Sequence, residues 1–288
     1  MPALAREAWT FDAIGTTWSV EARDGFTEAA RADVAAAIDG FDRAWSRFRG
    51  DSTVAALASG GDAPAPPDAE AMLSLYARLD DATDGAVNPL VGEALARLGY
   101  DAAYTLAPSS PRSAPRRWRE LLTWHAGRLR LHEPATIDVG ALGKGRLVDR
   151  VLEVLARHGV TDVVVDASGD MAVRGRTERV GLEHPYRPGA AIGIVEVTDA
   201  ALCASAVTRR AWGDGLHHVL DARSGTPVRA YAATWAIAPT AMVADALATA
   251  LFFDGGPALA ADVGVEWVRM RTDGAVEWSP GSKAELFT

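Results

Sequence analysis

The segment Ala241-Met-Val-Ala-Asp-Ala-Leu-Ala-Thr-Ala-Leu-Phe-Phe253 constrains this chain more than any other. Its Ala and Leu content favours helix, and it is apolar on nearly every side. A helix apolar all round is a buried helix, so other layers of the protein have to enclose it. Asp245 and Thr249 interrupt it. Four residues apart, they project from one helix face. A buried carboxylate is costly unless it is paired or bound to a metal. A carboxylate beside a hydroxyl also offers the hard oxygen ligands that Mg²⁺ takes.

Around this helix, helical and β patterns follow one another without regular βαβ alternation. Trp9–Glu21 reads as an opening strand, Thr27–Trp45 as an amphipathic helix, and Ser52 as the N-cap of a short helix over Thr53–Ser59. Gly60–Pro67 reads as a loop, Asp68–Thr83 and Asn88–Leu98 as helices, and Tyr104–Trp118 as a solvated loop despite its arginines. Strands are predicted at Leu129–Leu131, Thr136–Val139, Asp162–Asp166, Ala190–Val197, His218–Asp221 and Thr234–Ala238. Gly145–His158 is predicted helical, and Val265–Arg271 with Val276–Trp278 a hairpin around Thr272-Asp-Gly. The class that fits is α+β, with mixed or antiparallel sheets and packed helices. No linker or internal repeat divides the chain, and residues 1–288 are expected to form one domain.

The net charge of -9 weighs against nucleic-acid binding, which needs a basic face. A phosphate-bearing ligand would then need local help from a lysine, a helix N-terminus or a metal. The single cysteine, Cys203, rules out an intramolecular disulfide and a cysteine-based metal cluster. It lies in an apolar run and reads as a structural thiol. Residues 1–10 show neither a basic patch followed by a long apolar stretch nor a lipid-anchor cysteine. No apolar run reaches membrane-spanning length. A cytoplasmic protein without a membrane span is the expectation.

Three further stretches carry chemistry. His218-Val-Leu-Asp-Ala-Arg-Ser-Gly-Thr-Pro227 sets an imidazole at one end of a short strand and Asp221, a guanidinium and a hydroxyl at the other. Strand alternation sends one of His217 and His218 inward and the other outward. Ile137-Asp-Val-Gly-Ala-Leu-Gly-Lys-Gly-Arg146 is a Gly-rich turn with one lysine leading into a helix. It matches neither a Walker A sequence nor GxGxxG, and it stays open between a structural turn and a phosphate cradle. Asp166-Ala-Ser-Gly-Asp170 follows a buried strand and reads either as a ligand-facing turn or as an ordinary strand-end turn.

Taken in order, these stretches resemble the ApbE family of FAD:protein FMN transferases. The resemblance rests on Ile14-Gly-Thr16, Trp45-Ser-Arg-Phe-Arg-Gly-Asp-Ser52, Thr83-Asp-Gly-Ala-Val-Asn-Pro89, Asp138-Val-Gly-Ala-Leu-Gly-Lys-Gly145, Ser168-Gly-Asp170, His218 to Pro227 and Asp245 to Thr249. It implies an ApbE-like, T-fold-like architecture. It also implies Mg²⁺ (or Mn²⁺) dependent transfer of the FMN half of FAD to a Thr or Ser hydroxyl of an acceptor flavoprotein, with release of AMP. On that resemblance Asp245, Thr249 and the Ala141 carbonyl are the metal ligands, and His218 is the base for the acceptor hydroxyl. Asp138, Gly143, Lys144, Gly145, Gly169, Asp170 and Asp221 join the FAD and pyrophosphate site, with Ser46, Asp51 and Ser52 in a segment lining it. The chain departs from the family pattern at Ile14, Ala58, Val87-Asn88, Ser168 and Ala222, all expected on the flavin or adenine side. Two other readings fit the same residues: a Mg²⁺-dependent FAD pyrophosphatase giving FMN and AMP, and a non-catalytic FAD-binding protein.

Overall fold

The computed structural model describes residues 6–287. Of the N-terminal segment read for targeting signals, residues 1–5 lie outside them. The backbone is one eight-stranded sheet whose order in space is its order in the chain. The strands are Glu7–Ala13, Thr16–Ala22, Val163–Asp166, Asp170–Arg174, Ala201–Ala206, Tyr231–Ala238, Glu266–Arg271 and Val276–Trp278. Every neighbouring pair is antiparallel. The expected α+β class is what forms. Between the second and third strands the chain makes a long excursion, residues 23–162. It supplies most of the helices and a small three-stranded sheet of Gly61–Pro64, Arg128–Leu131 and Leu122–His125.

Period-two alternation assigns the two faces of the large sheet. Val163, Val165, Ala201, Cys203 and Ala236 point to one side, into a core shared with the helices. Val164, Leu202, Ala233 and Trp235 point to the other, against a second three-stranded sheet of Thr177–Glu183, Ala191–Thr198 and Glu285–Leu286. The helix Ala241–Ala250 lies on the first side and is buried along nearly its whole length. Its first two free amides, of Ala241 and Met242, donate to the Asp149 carboxylate at 2.8 and 2.9 Å. A side chain of the neighbouring helix Gly143–Arg157 therefore caps this one. Among the described residues no helix is long and apolar enough to cross a membrane.

The two helices meet at Gly145. A Cβ there would stand 2.1 Å from the Ala241 carbonyl oxygen and 2.7 Å from the Asp245 Cβ. Both contacts are rigid, so Gly145→Ala has to push the helices apart. We expect it to lower stability by about 1–3 kcal/mol and to displace Asp245, read as a lower denaturation midpoint together with weakened ligand binding. An unchanged midpoint would show that the crossing is softer than the packing indicates.

Several segments differ from expectation. Trp9–Glu21 is a hairpin rather than one strand, turning at Ile14 and Gly15 with φ of 45° and 74°. A β-branched residue is rarely found with positive φ, so Ile14 gives no turn signal. Gly61–Pro64, expected in a loop, pairs with Arg128–Leu131. Thr136–Val139 is irregular rather than a strand, although Ile137 is fully buried. His218–Asp221 breaks into two-residue strands on either side of His218. Asp170–Arg174, Thr177–Glu183 and Ala201–Ala206 are strands that local pattern did not announce.

Candidate active site

A cavity of about 970 Å³ opens between the sheet and the helical excursion. Its walls come from places far apart in sequence, among them the Ile14–Thr17 turn, Trp45–Arg49 at the end of the first long helix, Ala86–Asn88, Tyr100 and Tyr104, the Asp138–Lys144 turn, Ser168 at the strand turn, Ala204–Trp212, and His218–Leu220. Asp245 and Thr249 face it from the buried helix.

The Asp138–Lys144 turn is held from below. Tyr76 donates to the Asp138 carbonyl at 3.2 Å and accepts from the Ala141 amide at 3.3 Å. The Asp138 carboxylate accepts the Gly140 amide at 2.7 Å and pairs with Arg47 at 2.5 Å. These contacts aim the Ala141 carbonyl at the buried helix, where it accepts the Thr249 hydroxyl at 3.2 Å. One oxygen of Asp245 accepts the Gly145 amide at 2.9 Å. Burial and then the charge of Asp170 push the Asp245 carboxyl above the usual range, with Lys144 opposing. Lys144 forms an ion pair with Asp170, which is buried. Burial disfavours the charge on Lys144, but Asp170 and Asp245 more than offset that and hold its pKa above the usual value.

Lys144 pairs with one of two buried carboxylates, Asp170, and its charge also acts on the other, Asp245. The Thr249 hydroxyl meets the Ala141 carbonyl one helical turn after Asp245. That donor set fits a hard divalent cation. Among the described residues no cluster of three or more His, Cys, Asp or Glu is arranged for a metal. A cation here would rest on one carboxylate and neutral oxygens, as suits a Mg²⁺ that completes its shell with water and substrate phosphate.

The expected inward–outward split of the two histidines does not form: the strand ends at His217, and both rings lie inside. His217 is buried and its Nε2 lies 3.0 Å from the Val228 carbonyl. His218 lines the cavity, and its Nδ1 has no hydrogen-bond partner among the described residues. Burial, then the positive charges of Arg210 and Lys144, push the His218 pKa down to about 3. The ring is therefore neutral, with an unprotonated Nδ1 or Nε2 facing the cavity side chains. Across the cavity lies an aromatic wall. Phe48 stacks with Tyr104 at 5.2 Å and Tyr100 with Trp212 at 5.6 Å, centroid to centroid. The Arg47 guanidinium sits 4.1 Å from the Phe48 ring centroid.

Of the residues singled out from the sequence, Ser46, Asp138, Ala141, Gly143, Lys144, His218, Asp245 and Thr249 line the cavity. Gly145 and Asp170 stand directly behind it, holding Asp245 and Lys144. Gly169 also sits behind the wall, its amide donating to Asp166 at 2.9 Å. Three others are not brought to the wall. Ser52 is buried as a helix N-cap, accepting the Ala55 amide at 3.1 Å and donating to the Ser46 carbonyl at 2.6 Å. Asp51 is exposed and tied to Arg49. Asp221 is held by Arg223 at the hairpin turn. Each has a local partner that uses up its polar atoms. Of the departures from the family pattern, Ile14, Val87, Asn88 and Ser168 line the cavity, whereas Ala58 and Ala222 do not. Sequence reasoning missed Arg47, Arg210, Tyr76 and the aromatic wall. A lone Arg or Tyr carries no positional signal until the fold gathers it. The adjacent pair Arg209-Arg210 was the one available hint.

Comparison with known proteins bears on the family and the fold. The ApbE family profile matches residues 14–269. The FAD:protein FMN transferase of Rhodobacter capsulatus is 29% identical over an alignment covering 96% of this chain and 58% of that protein. The chain thus spans a little over half of that relative's length. The Treponema pallidum FAD:protein FMN transferase is 30% identical, covering 73% of this chain and 67% of the relative. In three dimensions the flavin transferase ApbE from Vibrio cholerae superposes with a TM-score of 0.80 at 20% identity, covering 96% of this chain and 97% of that one. The ApbE protein of Thermotoga maritima gives 0.81 at 21% identity with the same coverage. By sequence profile across most of its length, and by a fold shared with these structures, this chain belongs to the ApbE family.

Proposed function

We propose that this chain transfers the FMN half of FAD to a Thr or Ser hydroxyl of an acceptor flavoprotein, forming a phosphoester and releasing AMP, with Mg²⁺ or Mn²⁺ as the metal. One observation carries the reading: Asp245, Thr249, the Ala141 carbonyl, Lys144 and His218 converge on a single cavity from three separate parts of the chain. Asp245, Thr249 and Ala141 would hold the cation, whose chemistry is to neutralise diphosphate charge and ease departure of AMP. Lys144 adds fixed positive charge that Asp170 keeps in place. The aromatic wall offers flat apolar surface for a ring system.

His218 is the proton acceptor. The acceptor oxygen forms a bond to the phosphorus of the FMN phosphate as the bond from that phosphorus to the AMP oxygen breaks. The hydroxyl proton passes to the neutral imidazole, and AMP leaves with the electron pair. Such displacements need positioning and charge stabilisation more than covalent help from the protein. The test is intact mass spectrometry of an acceptor flavoprotein domain incubated with this protein, FAD and Mg²⁺, with AMP followed in the same tube. The expected result is a Mg²⁺-dependent FMN mass on the acceptor, matched by AMP. Free FMN and AMP without an adduct would replace the transferase with the pyrophosphatase, and bound FAD without AMP would leave a binder.

A further inference from the structure

Five cationic side chains line the cavity, and four are already paired. Arg47 is held by Asp138, Arg49 by Asp42 and Asp51, Lys144 by Asp170 and Arg209 by Glu183. Arg210 has no carboxylate within ion-pair distance among the described residues, and its guanidinium donates no hydrogen bond there. Its position is set by the sheet ladder. Ala211 pairs with His217 and Trp212 with Leu216. The ladder ends at Ala211 and His217, with Arg210 and His218 the next residues on the two segments; both side chains line the cavity, and the Arg210 charge acts on the His218 ring.

An unpaired arginine is costly to keep half-buried unless an anion completes it. A guanidinium presents planar, paired donors that match phosphate oxygens, and it stays charged throughout the working pH range. Lys144 stands with the proposed cation ligands, its charge largely committed to Asp170 and Asp245. We propose that Arg210 grips the diphosphate bridge of the substrate on the His218 side and stabilises the negative charge that builds on the departing phosphate as its bond to phosphorus breaks.

This inference rests on the transferase reading for the identity of the diphosphate, and its test does not use transfer. ADP and adenosine binding are measured on the full chain, with Mg²⁺ present, for wild type, Arg210→Lys and Arg210→Gln. The His218 imidazole is titrated by NMR in the same proteins. ADP is expected to bind Arg210→Gln about 10- to 100-fold more weakly, the size of a lost charge-assisted contact, with Arg210→Lys in between. Adenosine, which lacks the diphosphate, is expected to behave alike in all three. Around His218 the groups whose charge acts on it are Arg210, Lys144 and His217, so removing the Arg210 charge should move the His218 titration upward. Equal ADP affinity in wild type and Arg210→Gln overturns the proposal. So does no ADP binding by wild type, or a parallel loss of adenosine binding, which would mark a structural role. ADP binding that depends on Arg210 in a protein that modifies no acceptor would leave this proposal standing and remove the transferase.

Discussion

Asp245→Ala should abolish metal-dependent turnover, a fall of about 10³-fold or more in AMP release at saturating FAD. Removing a Lewis-acid site from phosphoryl transfer takes away several kcal/mol of charge stabilisation, and each 1.4 kcal/mol is a factor of ten. The carboxylate is the one anionic group in the proposed cation set, since Thr249 and the Ala141 carbonyl are neutral. The substitution also strands the buried Gly145 amide, at about 1–3 kcal/mol. Asp245→Asn separates the two effects. Its amide oxygen can still accept from Gly145, but it brings no charge to a cation. Both variants should lose turnover, and Asp245→Asn should keep a near-native denaturation midpoint. Mg²⁺-dependent turnover surviving in both would remove Asp245 from the metal site.

His218→Ala should retain FAD binding and lose transfer by about 10²–10⁴-fold, the contribution of a positioned general base. Its pH dependence carries the stronger signature. The His218 pKa is depressed to about 3 by burial, Arg210 and Lys144. The neutral, proton-accepting form therefore persists well below the 6.5 of a free imidazole. For the unliganded enzyme, kcat/KM should show no acid limb near pH 6.5 from this group. Bound FAD brings negative phosphates to the two cations that depress it, so any limb in kcat should lie at higher pH than in kcat/KM. The linkage has the opposite sign for stability. The unfolded chain takes up a proton near pH 6.5 that the folded ring refuses, so stability falls as pH drops below that value, and His218→Ala should reduce the loss. A kcat/KM profile with a single limb at 6.5 that disappears in His218→Ala would show an exposed, unperturbed imidazole instead.

The parts of the site that were legible in the sequence share one property: their chemistry conflicts with their surroundings. Asp245 stands out because a carboxylate does not belong in an apolar helix, and Lys144 because it sits between glycines at a helix start. His218 stands out because it adjoins a second histidine and a turn rich in polar groups. Helices with strong periodicity, such as Glu28–Trp45 and Gly143–Arg157, were legible for the same reason. Arg47, Arg210 and the ring wall carry no such conflict. Arg210 looks like any surface arginine until the fold brings it to the cavity beside His218. Ser52 and Asp51 failed in the other direction, because adjacency to a matching segment does not reveal which polar atoms a local cap or ion pair has already taken.

The sequence by itself determined that a buried helix carries a carboxylate and a hydroxyl on one face and that the class is α+β. These follow from local periodicity and from the cost of burying charge, both of which act within a few residues. Only the tertiary structure decided that Ile14 and Gly15 turn a hairpin, that Asp149 caps the helix ahead of Asp245, and that Lys144 is pinned by Asp170. It alone decided which of the cavity-lining arginines has no carboxylate partner among the described residues. Those outcomes depend on contacts between residues up to a hundred or more positions apart, where packing and ion pairing across the sheet, rather than local propensity, select the partner.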